Sequence, residues 1–240
     1  IQHILWNDTS AEYLLRRYSA DAVGVYKALP PNQKKDLFMY VVLAEIGGVF
    51  TDCDVTPLRP VAQWLRAAAK RGDEVVVGVE AHGTPAQKSG FGWAGETQIA
   101  AWTVVSQRNA SLMREAADAV IFAQRTHRLT PDYMDSISMT GPGLLTEKVH
   151  KFLAQEGSNL ETLHSVSGRA ASDKVGGLRV LDINGFGCGQ THSGSIDCNA
   201  AGHALVQHHF TGTWKWQLCA NGTSSAFAEY AKAEGWHSET

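Results

Sequence analysis

The chain has 240 residues, a formal net charge of -3 at pH 7, 44% hydrophobic and 19% charged residues, a balance that buries one good-sized core and excludes disordered and fibrous classes. It carries no run of Lys and Arg, which excludes the basic stripe of a nucleic-acid partner. Its longest mainly apolar stretch, Leu37 to Phe50, is too short to span a bilayer and contains Glu45. A single domain over residues 1–240 is the expectation.

In chain order, Ile1 to Trp6 predicts a buried opening strand, and Asn7-Asp8-Thr9-Ser10 supplies helix-cap chemistry ahead of helical spacing from Glu12 to Tyr18. After Pro30-Pro31, the apolar positions Leu37, Phe38, Tyr40, Val41, Leu43, Ala44 and Ile46 follow a 3.6 period, and Gly47-Gly48 ends that helix as a left-handed cap. Val49-Phe50 starts a strand. Glu74 to Glu80 reads as a strand covered on both faces, and Leu178 to Ile183 as a shorter one. Helices are predicted at Val61–Arg71, Thr97–Gln107, Ala110–Arg125 and Leu144–Gln155, with a short one at Ser225–Glu234. The alternation predicts an α/β fold with a mixed or parallel sheet flanked by helices. Gly185 to Gly202 reads as a long functional loop.

Cysteines stand at 53, 188, 198 and 219; the last three crowd one Gly-rich region, which a short-loop disulfide such as Cys188 to Cys198 would suit, with the pairing left open. Asn-x-Ser/Thr triplets begin at Asn7, Asn109 and Asn221, which fits a secretory-pathway protein. No charged segment precedes an apolar one at Ile1, and the expectation is that an anchor or signal lies outside this sequence.

The sharpest chemical signal is Gly47-Gly48-Val49-Phe50-Thr51-Asp52-Cys53-Asp54. At a strand's end residues two apart point to the same side, so Asp52 and Asp54 can converge on a hard cation that also grips phosphate oxygens. Mg²⁺ and Mn²⁺ prefer such ligands, and the ion would neutralise charge on a diphosphate leaving group. A bare Asp-x-Asp more often caps a turn, so its surroundings decide. A metal-dependent phosphohydrolase would use the same pair of carboxylates.

Those surroundings resemble the DXD-containing sugar-transferase family typified by the fungal initiation-specific α-1,6-mannosyltransferase, glycosyltransferase family thirty-two. The resemblance is carried by Lys35-Asp36-Leu37-Phe38-Met39-Tyr40, by Gly47 to Asp54, and by Val77-Gly78-Val79-Glu80. It continues through Gln98 with Trp102-Thr103, placed on a helix, then Thr140-Gly141-Pro142-Gly143, Gly189 to Ser195, and Val206 to Lys215 with its His208-His209 pair.

That resemblance implies a GT-A-type fold, Mn²⁺ or Mg²⁺, and transfer with retention of the anomeric configuration. It implies GDP-mannose or another nucleotide sugar as donor and a glycan as acceptor, in N-glycan or mannan synthesis. It also implies a Golgi-lumenal type II membrane protein whose anchor is outside this sequence, with other glycosyltransferase subunits as partners. Asp52 and Asp54 would bind metal and donor, and His208 or His209 would close the metal shell. Asp36 would hold the donor sugar, with Trp6, Thr140, Gly141 and His192 as further donor contacts. Read locally, Asp36 is equally a helix N-cap and Trp6 a core aromatic. The chain departs from the family one turn after Asp36, where Met39 stands in place of Arg. Either another cation, Lys34 or Lys35, compensates, or donor choice or role differs, which keeps open a non-catalytic sugar-binding subunit of a mannan-synthesising complex. Glu80 and Glu96 are acids that could orient an acceptor hydroxyl.

Overall fold

The structure, a computed structural model, describes residues 4–84, 93–190 and 193–211. Residues 1–3 of the predicted opening strand, His192, Cys219, the Asn221 triplet, Thr213-Trp214-Lys215 and the predicted Ser225–Glu234 helix lie outside the described residues.

Three helices come first. α1 (Asp8–Tyr18) is opened by a capping box in which the Asn7 side chain accepts from the Ser10 N–H and Ser10 Oγ accepts from the Asn7 N–H. α2 (Ala22–Ala28) follows, and α3 (Pro31–Glu45) starts with proline at its first position, where the missing N–H costs nothing. From Asp36 to Ala44 every residue of α3 is buried, so this helix runs through the core and not along its surface. At its end the Gly47 N–H reaches the carbonyls of Val42 and Leu43 with φ at +75, and Gly48 (φ +108) opens β1 (Gly48–Thr51).

The rest alternates strand and helix: β2 (Val55–Pro57), α4 (Val61–Arg71), β3 (Val75–His82), β4 (Thr97–Ile99), β5 (Thr103–Ser106) and α5 (Ser111–Arg125). Next come a π-helical turn at Ser136–Thr140, α6 (Pro142–Gln155), β6 (Ser172–Val175), β7 (Leu178–Leu181), the short α7 (Ile183–Gly187) and β8 (Val206–His208). The main sheet has the order β1-β5-β3-β7-β6, with β4 also on β3; β3 and β7 run parallel and the other pairs antiparallel. A separate ribbon pairs β2 with β8.

The fold is therefore α/β with a mixed sheet flanked by helices, as the sequence predicts. Val75, Val77 and Val79 of β3 face the large core formed with α1, α2, α3, α5 and α6, while Val76 faces a smaller core with Trp64 of α4 and Phe186 of α7. Gly78 belongs to this second contact, because a Cβ there would lie 3.0 Å from the Phe186 ring.

Two predicted elements are corrected. Thr97–Gln107 is two strands joined by a bend, and Gln98 and Trp102-Thr103 are accordingly not on a helix. Its apolar spacing looked helical, but Ile99, Ala100, Trp102, Val104 and Val105 are all buried, and a segment covered on both faces rich in β-branched residues favours the pleated form. Ile4 to Trp6 belongs to no strand, and Leu5 is 88% exposed; an apolar run predicts burial, but a strand also needs a neighbour to complete its ladder. The Gly185–Gly202 tract begins inside α7 and is closed by the Cys188–Cys198 disulfide, as the cysteine spacing suggests.

The Gly47-Gly48 junction sets where β1 leaves α3. A Cβ on Gly47 would sit 2.6 Å from the Arg108 nitrogen and 2.9 Å from the Ser106 oxygen, whereas one on Gly48 meets nothing within 4 Å. Gly48→Ala should therefore lose about 1–3 kcal/mol from backbone strain alone, and Gly47→Ala more than that. Chemical denaturation of both variants checks the order.

Candidate active site

β1 pairs with β5 through Thr51 and Thr103, and just beyond that register the Asp52 N–H donates to the Trp102 carbonyl at 2.8 Å. The chain then turns, with the Val55 N–H donating to the Asp52 carbonyl at 3.2 Å, and enters β2. Asp52 and Asp54 thus converge across a turn and not by strand alternation. β8 lies antiparallel to β2 with His208 opposite Val55, which brings a residue from far along the chain next to Asp54. One ligand atom from each of Asp52, Asp54 and His208 falls within a 4.8 Å group.

The partners around this group differ in kind. Asp54 Oδ2 accepts from the Thr211 N–H at 3.0 Å and the Thr211 hydroxyl at 2.9 Å, and Asp54 Oδ1 is 3.2 Å from His208 Nε2. The Trp102 ring stacks on His208 with centroids 4.5 Å apart and planes 13° from parallel, and the Phe210 ring meets His208 edge-on at 4.0 Å. Trp102 is itself fixed by its indole N–H donating to the Phe186 carbonyl at 2.7 Å.

On the other side stands α3. Asp36 occupies its second turn and is 4% exposed, so it is not the N-cap that a local reading allows. Asp36 Oδ2 accepts from the Thr140 hydroxyl at 2.8 Å, and Asp36 Oδ1 pairs with Lys35 Nζ at 2.9 Å. Thr140 is held in turn: its carbonyl accepts from the Tyr40 hydroxyl at 2.8 Å, and Gln33 grips the start of the same π-helical turn through Ser136 Oγ at 3.1 Å. Gln33, Asp36 and Tyr40 are one face of α3 reading this turn. Gly141 is required here by close approach, since a Cβ would lie 2.7 Å from the Ser136 oxygen and 3.3 Å from Asp36 Oδ2. Met39 is fully buried and contributes only apolar bulk. Of the two lysines that could compensate for it, Lys34 lies over the Tyr26 ring, while Lys35 bridges Asp36 and Asp52.

Electrostatics follow from this crowding. Burial raises the Asp52 pKa, and the charges of Asp36 and Asp54 push the same way against the opposing Lys35 ammonium. Burial of Asp54 acts upward too, but His208 and the Thr211 hydrogen bonds outweigh it and hold Asp54 below its usual range. Burial lowers the His208 pKa to about 4 against the pull of Asp54, so the imidazole is neutral at physiological pH and suited to metal ligation. Lys35 loses to burial but gains more from Asp36 and Asp52, and stays charged.

A divalent ion fits this arrangement. Three carboxylates face one ammonium and a neutral imidazole, and Asp52 Oδ1 and His208 Nδ1 are buried without a hydrogen-bond partner among the described residues. Lys35 Nζ lies 3.2 Å from Asp52 Oδ1, but its hydrogen bond goes to Oδ2 at 3.4 Å, so Oδ1 keeps an unfilled acceptor position. Two carboxylates and an imidazole are a donor set for Mn²⁺, and Mg²⁺ shares the preference for carboxylate oxygen.

Not every predicted residue joins the group. His209 is exposed, with Nε2 2.8 Å from Thr56 Oγ1, and is not among the residues that converge with Asp52 and Asp54. His208 ends β8, and His209 just past it donates its N–H to the Asp54 carbonyl at 2.9 Å while its ring meets Thr56, so only one of the two histidines turns inward. Trp6 is half-buried with its ring edge-on to Phe38 at 5.2 Å, a core contact. Glu96 is exposed in the bend before β4. Trp102 and Thr211 are roles that sequence reasoning missed. Trp102 was visible only as a motif residue on a misplaced helix, and nothing in the sequence signals that Thr211 clamps Asp54.

The mixed sheet flanked by helices, with the Asp-x-Asp turn at the end of β1, is consistent with a GT-A-like glycosyltransferase fold. The sequence model of the glycosyltransferase sugar-binding region containing a DXD motif matches residues 1–70. The initiation-specific alpha-1,6-mannosyltransferase of Schizosaccharomyces pombe is 28% identical over 196 residues, 79% of this chain and 49% of that protein. The protein of the same name from Candida albicans is 25% identical over 245 residues, 89% of this chain and 63% of that protein. The chain thus spans about half to just under two thirds of the length of these relatives. No solved structure matches.

The Thr140 hydroxyl is the neutral donor to a buried carboxylate. Thr140→Val should cost about 1–3 kcal/mol by leaving Asp36 Oδ2 without that donor, and Thr140→Ser should recover most of the loss. Thermal melts of the three proteins check this.

Proposed function

We propose that this chain is the catalytic part of a metal-dependent glycosyltransferase that moves mannose from GDP-mannose to a glycan acceptor with retention, as an α-1,6-mannosyltransferase of N-glycan or mannan synthesis. The observation that carries the proposal is the convergence of Asp52, Asp54 and His208 within 4.8 Å, beside an Asp36 held by Thr140 and Lys35. The names of the two fungal relatives support mannose as the transferred sugar and the α-1,6 linkage, and GDP-mannose as donor rests on the family resemblance.

Asp52, Asp54 and His208 would hold Mn²⁺, or Mg²⁺ in its place. When bound, the ion supplies positive charge to the donor diphosphate, whose departure is the difficult part of glycosyl transfer. Asp36, its orientation set by Thr140, accepts hydrogen bonds from donor-sugar hydroxyls. Trp102 covers one face of His208 and Phe210 meets its edge, and together they limit its rotation and its contact with water. Both Asp36 oxygens are engaged by protein donors, which suits holding a sugar better than attacking it. The favoured route to retention is therefore same-face attack by the acceptor hydroxyl, deprotonated by the departing phosphate. A trapped glycosyl adduct on an Asp or Glu would overturn that route.

The Cys188–Cys198 disulfide supports an oxidising compartment such as the Golgi lumen. The buried Met39, where the resemblance leads one to expect Arg, favours a second reading: a sugar-binding subunit of a mannan-synthesising complex that binds donor without transfer.

Calorimetric titration with GDP-mannose, GDP and UDP-galactose, in Mn²⁺ and then in chelator, tests the proposal. Mn²⁺-dependent binding of the two guanine nucleotides over UDP-galactose, lost in Asp54→Ala, is the expected outcome, together with mannose transfer to an oligomannoside. Binding without transfer would favour the subunit reading, and no nucleotide binding at all would contradict both.

A further inference from the structure

Lys35 is a cation already seated where the divalent ion is expected to act. Its ammonium lies 2.9 Å from Asp36 Oδ1 and 3.2 Å and 3.4 Å from the two Asp52 oxygens, so it spans both sides of the site. Among the described residues, the recorded ion pairs of Asp36 and Asp52 are with Lys35 alone. The side chain keeps 35% of its surface exposed, so the flexible stem can move the ammonium without unpacking the core.

A divalent ion on Asp52 and this ammonium would share the same carboxylate within a few ångströms. Their mutual repulsion at that separation is large enough to make the two occupants compete. The ammonium has somewhere to go, because the donor brings a diphosphate with two negative charges while the divalent ion's charge is already shared with the Asp52 and Asp54 carboxylates. We propose that Lys35 serves as an internal counter-cation of Asp52, so that divalent-ion binding is an exchange in which the ammonium is released toward the donor's diphosphate. The exchange rests on the reading of this site as a metal and nucleotide-sugar site. It makes the metal bind weakly alone and strongly with nucleotide, and it gives Lys35 a second role as a contact of the bound diphosphate.

The test is Mn²⁺ binding followed by the free-ion electron paramagnetic resonance signal, with and without GDP, in the wild type and in Lys35→Met, Lys35→Gln and Lys35→Arg. Loss of the competing charge should tighten Mn²⁺ binding without nucleotide by about tenfold or more in the Met and Gln variants. By linkage, the factor by which GDP strengthens Mn²⁺ binding should shrink in the same two variants. Lys35→Arg should keep the wild-type pattern. A merely structural lysine would weaken the metal site when removed, so the sign of the change separates the two roles. Circular dichroism and thermal melts establish folding, and the Gln variant carries the test if the Met variant does not fold. Unchanged or weaker Mn²⁺ binding in folded variants, or an undiminished GDP effect, overturns the exchange. A wild type and variants that all fail to bind Mn²⁺ and GDP would sink the proposed function and this inference together, whereas a wild type that binds both leaves the variants to decide the exchange alone.

Discussion

Three carboxylates held close together against their mutual repulsion are the constraint around which this structure is arranged. Asp36, Asp52 and Asp54 come from α3 and from the turn after β1, and burial drives the Asp52 pKa up. Left to water, such groups would separate or take up protons. Here each is tied down: Asp36 by Thr140 and Lys35, Asp52 by the same Lys35, and Asp54 by Thr211 and His208. The protein thereby keeps a cation-hungry site in shape when only an ammonium answers it.

The rigidity of the surroundings makes that possible. α3 crosses the core with both ends fixed, by proline at its start and by the left-handed Gly47 at its finish. The short β2–β8 ribbon adds little burial, yet its register delivers His208 to Asp54, and the disulfide-closed segment beside it limits how far β8 can wander. Phe186 connects the two halves by packing against Gly78 of the central strand while its carbonyl receives the Trp102 indole. The ring that flattens His208 is thus anchored to the middle of the sheet.

Much of this was legible in the sequence, for reasons that can be stated residue by residue. The helix ending at Gly47-Gly48 announced itself by period and punctuation, and β3 by its unbroken β-branched run. Asp52 and Asp54 stood out because the residues before them form a strand and a glycine hinge. What sequence could not supply was pairing. Which of His208 and His209 turns toward Asp54 depends on the register of β8 against β2, and Lys35 looked no different from Lys34 until the turn of α3 set one beside Asp52 and the other over Tyr26. Thr97 to Gln107 misled because burial on both faces erases the periodicity that separates helix from strand.

Central to this site is a divalent ion held by the Asp-x-Asp turn together with the inward histidine. Pulsed electron paramagnetic resonance of the Mn²⁺-loaded protein reads this directly through the coupling of the ion to imidazole nitrogen. A single histidine coupling, lost in His208→Ala and kept in His209→Ala, is the predicted result. No nitrogen coupling in the wild type, or a coupling that disappears with His209 and survives without His208, would contradict it.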